Sequence, residues 1–227
     1  MIAVILAGRH AELGRQDGAE LPRLLMHLSG KPLLEQQLSW LKGCGIDAAV
    51  LCLSVGAEAV RAKFGDGSSH GVSLRYLVED VPLGTAGAVK SLGLASLPEN
   101  ILILSADAVP KGDGRRFIAF HKAHDAAATL AVHECRHPRA CEPVALGPGQ
   151  AVHDFPRRPL VGGYPLALSP AWIARRSFLH GIPDRGACDF VRDAFPAALR
   201  RGQPLLGYVD SALVADLSLP RKGARVR

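Results

Sequence analysis

The stretch that decides the fold is Pro82-Leu83-Gly84-Thr85-Ala86-Gly87, between an alternating apolar segment at Val72–Val78 and a helical pattern at Thr85–Ala95. Small residues that follow a strand and open a helix let a ligand approach the backbone closely. The free amides and the dipole at the start of a helix suit a polar ligand. The segment therefore predicts a strand, a glycine-containing loop and a helix, with a ligand near the loop.

The alternation of strands and helices extends in both directions from this loop. Uninterrupted or period-two apolar runs predict strands, and leucines spaced three and four apart predict helices. Strands are predicted at Ile2–Ala7, Asp47–Leu53, Val72–Val78, Ile101–Ser105 and Ala127–His133, and helices at Pro32–Cys44, Ala57–Phe64, Thr85–Ala95 and Asp113–His124. This order predicts an α/β fold with a mainly parallel sheet flanked by helices.

The remaining segments are less regular. Residues 8–22 are polar and contain glycines, so they predict a loop. After residue 135 the pattern predicts short strands around Val144, Val152 and Leu166 and helices near residues 170–176 and 187–201. No repeat, low-complexity stretch or linker interrupts the chain, and we expect one domain at residues 1–220 followed by a basic tail at residues 221–227.

Composition and charge exclude several classes of protein. The chain has 227 residues, 48% hydrophobic and 21% charged, which is typical of a globular protein. Its apolar runs are far shorter than the roughly 20 residues of a membrane span, and no basic segment precedes Ile2–Ala7, so we expect neither membrane insertion nor a secretory signal. The net charge of +6 is accompanied by only 5% aromatic residues, a poor supply of stacking platforms for nucleic acid.

The five cysteines predict reduced thiols and a cytoplasmic location, because they are odd in number and form no CxxC pair. One segment leaves two interpretations open. A strand beginning at His133 would place His133, Cys135 and His137 on one face, with Cys141 able to complete a tetrahedral zinc site. A strand that runs into a proline-containing loop explains the same residues without a metal.

Three loops follow the carboxyl ends of predicted strands, which is where doubly wound sheets bind ligands. The first contains Gly8, where a side chain would obstruct a ligand approaching the backbone. The second contains Gly84 and Thr85. The third places Asp107 directly after a buried strand, a usual position for a carboxylate that binds a divalent cation. Together they predict one site at this edge of the sheet.

These residues resemble the sugar-phosphate nucleotidyltransferases, which join a nucleoside triphosphate to a sugar 1-phosphate and release pyrophosphate. The resemblance covers most of the chain in order and implies a Rossmann-like fold of the nucleotidyltransferase and glycosyltransferase-A type. The matching segments are Val4–Gly8, Leu21–Leu24, Gly30–Glu35, Phe64–Gly67, Tyr76, Glu79, Pro82–Ala88, Leu104–Asp107 and Ala215–Pro220.

The chain departs from the family pattern around the phosphates. The family loop GGxGTRL is replaced by Gly8–Gly14, the lysine of the family segment PKP is Arg23, and the family segment EKP is replaced by Arg157–Pro159. The loop glycines of the family wrap the triphosphate, so these changes bear directly on turnover. An alternative is therefore a non-catalytic relative that binds a nucleotide or a sugar as a regulatory or structural subunit.

The resemblance implies a role for each matching residue. Residues 1–135 would form a nucleotide-binding half and residues 136–220 a sugar-phosphate-binding half. The substrates would be a nucleoside triphosphate and a hexose or heptose 1-phosphate, with Mg²⁺ as cofactor. The base, the sugar and a homo-oligomeric state stay open. The implied residues are Arg23, Asp107 and Asp216 for catalysis, the two aspartates also for the metal; Leu6, Ala7, Gly8, Arg9, Arg15, Gly84 and Thr85 for the nucleotide; and Glu79, Arg158 and Gly163 for the sugar phosphate.

Overall fold

The computed structural model describes residues 1–8, 13–16, 18–134, 141–156 and 166–217. The strands, numbered in chain order, are β1 Ile2–Ala7, β2 Leu13–Gln16, β3 Ala19–Pro22, β4 His27–Leu28, β5 Lys31–Pro32, β6 Ala48–Leu53, β7 Ser73–Val78, β8 Asn100–Ser105, β9 Ala108–Pro110, β10 Ala128–Glu134, β11 Ala145–Leu146, β12 Val152–Asp154, β13 Leu166–Arg175, β14 Leu205–Val209 and β15 Val214–Asp216. The helices are α1 Leu33–Gly43, α2 Ala57–Phe64, α3 Gly84–Ser91, α4 Gly114–Ala123, α5 Arg176–Leu179 and α6 Phe195–Arg200, the last preceded by a π-helical turn at Phe190–Ala194.

Seven of the described strands form one twisted sheet in the order β14-β10-β13-β8-β1-β6-β7. Strand β1 is parallel to β6 and β8, β6 is parallel to β7, and β10 is parallel to β14. Strand β13 is antiparallel to both of its neighbours, β8 and β10. The predicted α/β fold with a mainly parallel sheet is confirmed.

Apolar layers cover both faces of this sheet. Alternate residues of β1 point to opposite faces, so Ile5 belongs to the layer beneath α1 and α4, and Val4 to the layer beneath α3 and α6. The second layer contains the ring cluster of Phe178, Phe190 and Phe195. Strands from both ends of the chain share these layers. Among the described residues, no helix is both long enough and apolar enough to cross a membrane.

The loop predicted for residues 8–22 is wrong for its second part, because β2 and β3 pair there as an antiparallel hairpin, with Arg15 opposite Glu20. Gly18 has φ 83° and supplies the left-handed conformation that a tight turn requires. The hairpin is largely exposed, and it therefore lacks the apolar alternation by which a strand is recognised in a sequence.

The helix predicted at residues 170–176 is also wrong, since this segment belongs to strand β13. Nearly all of β13 is buried, so its sequence shows no alternation, and Pro170 argues against a strand. Pro170 is tolerated because pairing with β8 begins at Ala171, while the register against β10 shifts between Leu130 and Val132. The proline thus coincides with an irregularity in the ladder.

Candidate active site

The turn between β8 and β9 carries Asp107 at the carboxyl edge of the sheet. Its backbone is tied to two other elements. The Ala106 amide donates to the Leu6 carbonyl of β1 over 2.8 Å, and the Leu217 amide donates to the Asp107 carbonyl over 2.9 Å. Because β15 pairs with β9 in a register that sets Asp216 opposite Ala108, the two aspartates lie close together.

The carboxylate of Asp107 forms an ion pair with Arg23, whose Nη1 lies 2.6 Å from Oδ1. The side chains are only 13% and 23% exposed, so solvent screens the pair weakly. Burial raises the pKa of Asp107; the positive charge of Arg23 lowers it, and the negative charge of Asp216 raises it again, with a raised pKa as the net result. Burial and the charge of Asp216 therefore disfavour the ionised form of Asp107, and Arg23 stabilises it.

The two aspartates fit a magnesium ion better than a metal held by protein ligands alone. No group of three or more His, Cys, Asp or Glu side chains converges in the described residues. Mg²⁺ is usually held by one or two carboxylates, with water and substrate phosphates completing its octahedron. Asp107 and Asp216 provide that donor set, and their mutual repulsion is what a divalent cation would relieve.

A cleft of about 600 Å³ opens beside this turn. It runs along the carboxyl edge of the sheet, where an α/β protein binds its ligands. Asp216 is not among its lining residues. The lining consists of Leu6, Gly8, Arg23, Cys52, Glu79, Gly84, Thr85, Ala88, Ser105, Asp107, Glu142, Trp172, Ala187, Cys188, Asp189, Val191, Arg192 and Asp193.

Gly8 and Glu79 approach each other closely at one end of the cleft. A Cβ atom added to Gly8 would lie 3.1 Å from Oε2 of Glu79. Gly8 follows β1 and Glu79 follows β7. The Glu79 amide donates to the Leu53 carbonyl of β6 over 2.9 Å. The close approach sets a carboxylate directly beside exposed backbone.

The expectation of free amides at the start of α3 is wrong for Ala86 and Gly87. Both amides donate to the carbonyl of Cys188, over 2.9 and 3.1 Å. Gly84 has φ 75°, and a Cβ atom there would lie 2.4 Å from the Cys188 oxygen. This glycine is thus required by the packing of α3 against residues 184–193, a role independent of any ligand.

The hydroxyl of Thr85 is likewise engaged with the segment that covers α3. It donates to Oδ2 of Asp189 over 2.7 Å and accepts from the Phe190 amide over 2.9 Å. The other carboxylate oxygen of Asp189 accepts from the amides of Val191 and Arg192. Thr85 therefore holds the segment that contains Asp189 and Phe190 against α3. Arg192 and Asp193 of the same segment also line the cleft.

The family model described as "Nucleotidyl transferase" matches residues 18–212, most of the chain and nearly all of the sheet just described. The chain belongs to this family.

Two curated members of the family illustrate the relationship. The chain is 26% identical over 224 residues to a mannose-1-phosphate guanylyltransferase of Mycobacterium tuberculosis, which covers 98% of this chain and 62% of the relative. It is 33% identical over 132 residues to a D-glycero-alpha-D-manno-heptose 1-phosphate guanylyltransferase of Aneurinibacillus thermoaerophilus, covering 58% of this chain and 57% of the relative. The chain spans about three fifths of the length of these relatives.

Solved structures agree with this family at the level of the fold. HddC from Yersinia pseudotuberculosis superposes with a TM-score of 0.79 at 20% identity, covering 96% of this chain and 94% of HddC. A complex of HddC with GMP-PN superposes with a TM-score of 0.76 at 19% identity, over the same shares of both chains. At such identities the likeness concerns the arrangement of strands and helices.

Several predicted residues of this nucleotidyl transferase come together at the cleft, and others do not. Leu6, Gly8, Arg23, Glu79, Gly84, Thr85 and Asp107 line it, while Ala7 is buried beside it. Arg15 lies exposed in the hairpin and is not among the lining residues, so its placement gives no support to a role at the phosphates. Arg9, Arg158 and Gly163 lie outside the described residues.

The zinc site considered at residues 133–141 is only partly described, because Cys135 and His137 lie outside the described residues. Nδ1 of His133 lies 3.0 Å from Oγ of Ser169, and burial lowers its pKa. Cys141 is buried. The hydrogen-bond partner of His133 and the burial of Cys141 are thus described without a metal.

Sequence reasoning missed three residues that line the cleft, Glu142, Trp172 and Arg192. Glu142 is held there because its carbonyl accepts from the Leu168 amide over 2.8 Å. Trp172 comes from β13, which the sequence indicated as a helix, and Arg192 comes from the irregular segment before α6. The pair Glu142-Pro143, which precedes the short strand β11, indicates no ligand by itself.

Proposed function

We propose that the chain transfers a nucleoside monophosphate from a nucleoside triphosphate to a sugar 1-phosphate. A phosphate oxygen of the sugar 1-phosphate attacks the α-phosphorus, the bond from that phosphorus to the bridging oxygen breaks, and pyrophosphate leaves. The observation that carries this proposal is the ion pair of Arg23 with Asp107, beside Asp216, on the rim of a cleft of about 600 Å³. The names of both relatives support a transferase over a non-catalytic binder.

Such a site must position the two substrates and neutralise the negative charge of the phosphates, because phosphoryl transfer needs no covalent bond to the protein. Arg23 is always charged, and its planar guanidinium can donate two parallel hydrogen bonds to phosphate oxygens. In this proposal Arg23 neutralises charge that moves onto pyrophosphate, in place of the family's lysine. The geometry differs from that of a lysine, and the charge is the same.

Asp107 and Asp216 are the residues that would hold Mg²⁺. Both are oxygen donors, and the pKa of Asp107 is already raised by its burial and by the nearby Asp216. When bound, Mg²⁺ supplies charge neutralisation and orientation of the phosphates. A cation there would also compete with Arg23 for Asp107, which would release the guanidinium toward the substrate.

We propose guanosine as the nucleoside, with Glu79 reading the base. Guanine presents two adjacent donors, the N1–H and the 2-amino group, and an ionised carboxylate has two acceptor oxygens and no donor. Adenine offers an acceptor at N1 instead, which a carboxylate would repel. Glu79 lies beside Gly8, where the backbone is bare, and both relatives are named guanylyltransferases. Glu79 is thereby reassigned from the sugar phosphate, since a carboxylate repels a phosphate.

The acceptor in this proposal is a hexose or heptose 1-phosphate of the manno configuration, as in the names of the two relatives. Glu142, Trp172 and Arg192 also line the cleft, and they provide a carboxylate acceptor, an aromatic ring and a cation for this substrate. Arg158 and Gly163 stay proposed contacts to the same substrate. A nucleotide-binding half at residues 1–135 and a sugar-phosphate-binding half at residues 136–220 are part of the same proposal.

The decisive experiment measures pyrophosphate release from each of the four common ribonucleoside triphosphates with Mg²⁺ and a panel of hexose and heptose 1-phosphates. We expect GTP with a manno-configured acceptor to be used best. Asp107→Asn should remove turnover. Glu79→Gln should lower the preference for GTP over ATP by about ten- to a hundredfold, because one charge-assisted bond is lost.

Glu58→Gln is the matched control for Glu79→Gln, because it makes the same change at an exposed position of α2. It should leave the preference for GTP unchanged. Nucleotide binding without pyrophosphate release for every pair of substrates would favour the non-catalytic alternative. Equal use of GTP and ATP by the parent would refute the role of Glu79.

The cytoplasm is the proposed location of this reaction. Among the described cysteines, Cys44, Cys52 and Cys188 are free thiols, which supports a reducing compartment.

A further inference from the structure

Gln37 of α1 contacts the turn that carries Asp107. Its Nε2 donates to the Ser105 carbonyl over 3.1 Å and to the Ala108 carbonyl over 2.8 Å. These two carbonyls stand at the start and the end of the turn, so one side-chain amide bridges it. The residue is fully buried, more than sixty positions away in the sequence.

The energetics of Gln37 indicate that these two bonds matter. Its Oε1 is buried and has no hydrogen-bond partner within the described residues. A buried polar atom without a partner destabilises a fold, and an apolar side chain of the same size would avoid it. Around it lie Leu34, Leu38 and Leu41, with which an apolar residue would pack well. The two hydrogen bonds from Nε2 to the Ser105 and Ala108 carbonyls explain why a glutamine occupies this position.

We propose that Gln37 is a positioning residue that fixes the turn at residues 105–108 and thereby directs Asp107 toward the cleft. The inference rests on the proposed function for its catalytic consequence, and on the two hydrogen bonds for its structural basis. Gln37 itself does not line the cleft. Its effect passes through the backbone of the turn to the carboxylate that Arg23 contacts.

The neighbouring residue offers a matched control. Gln36 is also on α1, and its Nε2 also donates to two backbone carbonyls, those of Leu28 at 2.7 Å and Lys31 at 3.0 Å. Leu28 belongs to β4 and Lys31 to β5, and neither residue is among those that line the cleft. Gln36→Met therefore removes the same number and kind of bonds from the same helix without touching the turn of Asp107.

The first measurement is amide hydrogen exchange by NMR, with each rate compared with global unfolding of the same variant. In Gln37→Met the amides of Ala106, Asp107 and Leu217 should exchange about ten- to a hundredfold faster than global destabilisation explains, because two hydrogen bonds are lost. In Gln36→Met they should not. If Gln37→Met does not fold, Gln37→Asn retains an amide one methylene shorter and should show the same pattern. Parent-like exchange in the turn would overturn the proposal.

The second measurement is the affinity for Mn²⁺, a paramagnetic substitute for Mg²⁺, followed by electron paramagnetic resonance. Gln37→Met should weaken binding at least about tenfold, Gln36→Met should not, and Gln37→Met should add no loss to Asp107→Asn. A loosened turn with unchanged Mn²⁺ affinity would overturn the link to Asp107. A parent that binds no Mn²⁺ would refute the metal assignment of the proposed function, while the exchange rates would still decide whether Gln37 holds the turn.

Discussion

The contact between Gly84 and the backbone of Cys188 yields a quantitative prediction for Gly84→Ala. Gly84 has φ 75°, a conformation that costs an alanine about 1–2 kcal/mol. The new Cβ would also lie 2.4 Å from the oxygen, 2.7 Å from the carbon and 2.9 Å from the nitrogen of Cys188. These are backbone atoms, so the segment that contains Cys188 has to move away from α3.

That movement puts three backbone hydrogen bonds at risk. They are Ala86 N–H to the Cys188 carbonyl, Gly87 N–H to the same oxygen, and Cys188 N–H to the Leu83 carbonyl, at 2.9, 3.1 and 2.8 Å. At a net value of about 0.5–1.5 kcal/mol each, their loss together with the conformational cost amounts to about 2.5–6.5 kcal/mol. A change of this size is a large fraction of a typical domain's stability.

The assay is denaturant unfolding, with Gly45→Ala as the matched control. Gly45 has φ 76°, and a Cβ atom there meets nothing within 4 Å, so only the conformational cost of about 1–2 kcal/mol applies. The free energy of unfolding should therefore fall more in Gly84→Ala than in Gly45→Ala, by about 1.5–4.5 kcal/mol. Equal losses in the two variants would refute the close packing of α3 against Cys188.

Three further predictions concern titratable groups. Burial lowers the pKa of His121 to about 4, so its neutral form contributes full stability above about pH 6.5, and up to about 3 kcal/mol is lost as the pH falls toward 4. Denaturant unfolding at several pH values checks this, and His121→Gln should make the free energy of unfolding depend less on pH in that range. Burial raises the pKa of Cys52 to about 12, so iodoacetamide at pH 8 should leave it unmodified in the folded protein and modify it after unfolding. Arg23→Met should raise the pKa of Asp107 further, because the guanidinium is the main cause that lowers it, and a ¹³C NMR titration of the carboxyl group that showed no rise would contradict the ion pair.

Much of the fold could be predicted because strands and helices of the first 134 residues carry strong local signals. Strand β1 and helix α2 have the bounds predicted from the sequence, and α1 differs by one residue at each end. In α1 the buried stripe of Leu34, Leu38 and Leu41 and the glycine after its end agree with one another. Where helix propensity, hydrophobic periodicity and a terminating glycine agree, the sequence is sufficient to predict the helix and its ends.

Strand β13 could not be predicted, because its formation depends on partners distant in the chain. A fully buried apolar run has no period, and Pro170 is acceptable only because the ladder is irregular at that point. The same limit applies to the cleft. Asp107, Gly8 and Gly84 were found as ends of local elements, whereas Glu142, Trp172 and Arg192 reach the cleft through long-range packing.

The insertion of β13 between β8 and β10 has a consequence for how the chain folds as it is synthesised. Strands β8 and β10 are consecutive along the chain among the strands of the seven-stranded sheet, yet each pairs with β13, whose residues 166–175 emerge later. Until then, two strands present unpaired amides and carbonyls, the arrangement through which nascent chains aggregate. The centre of the sheet therefore closes late, and contacts of such high sequence separation make folding slow. A nascent chain that ends before residue 166 lacks the strand that joins the two parts of its sheet.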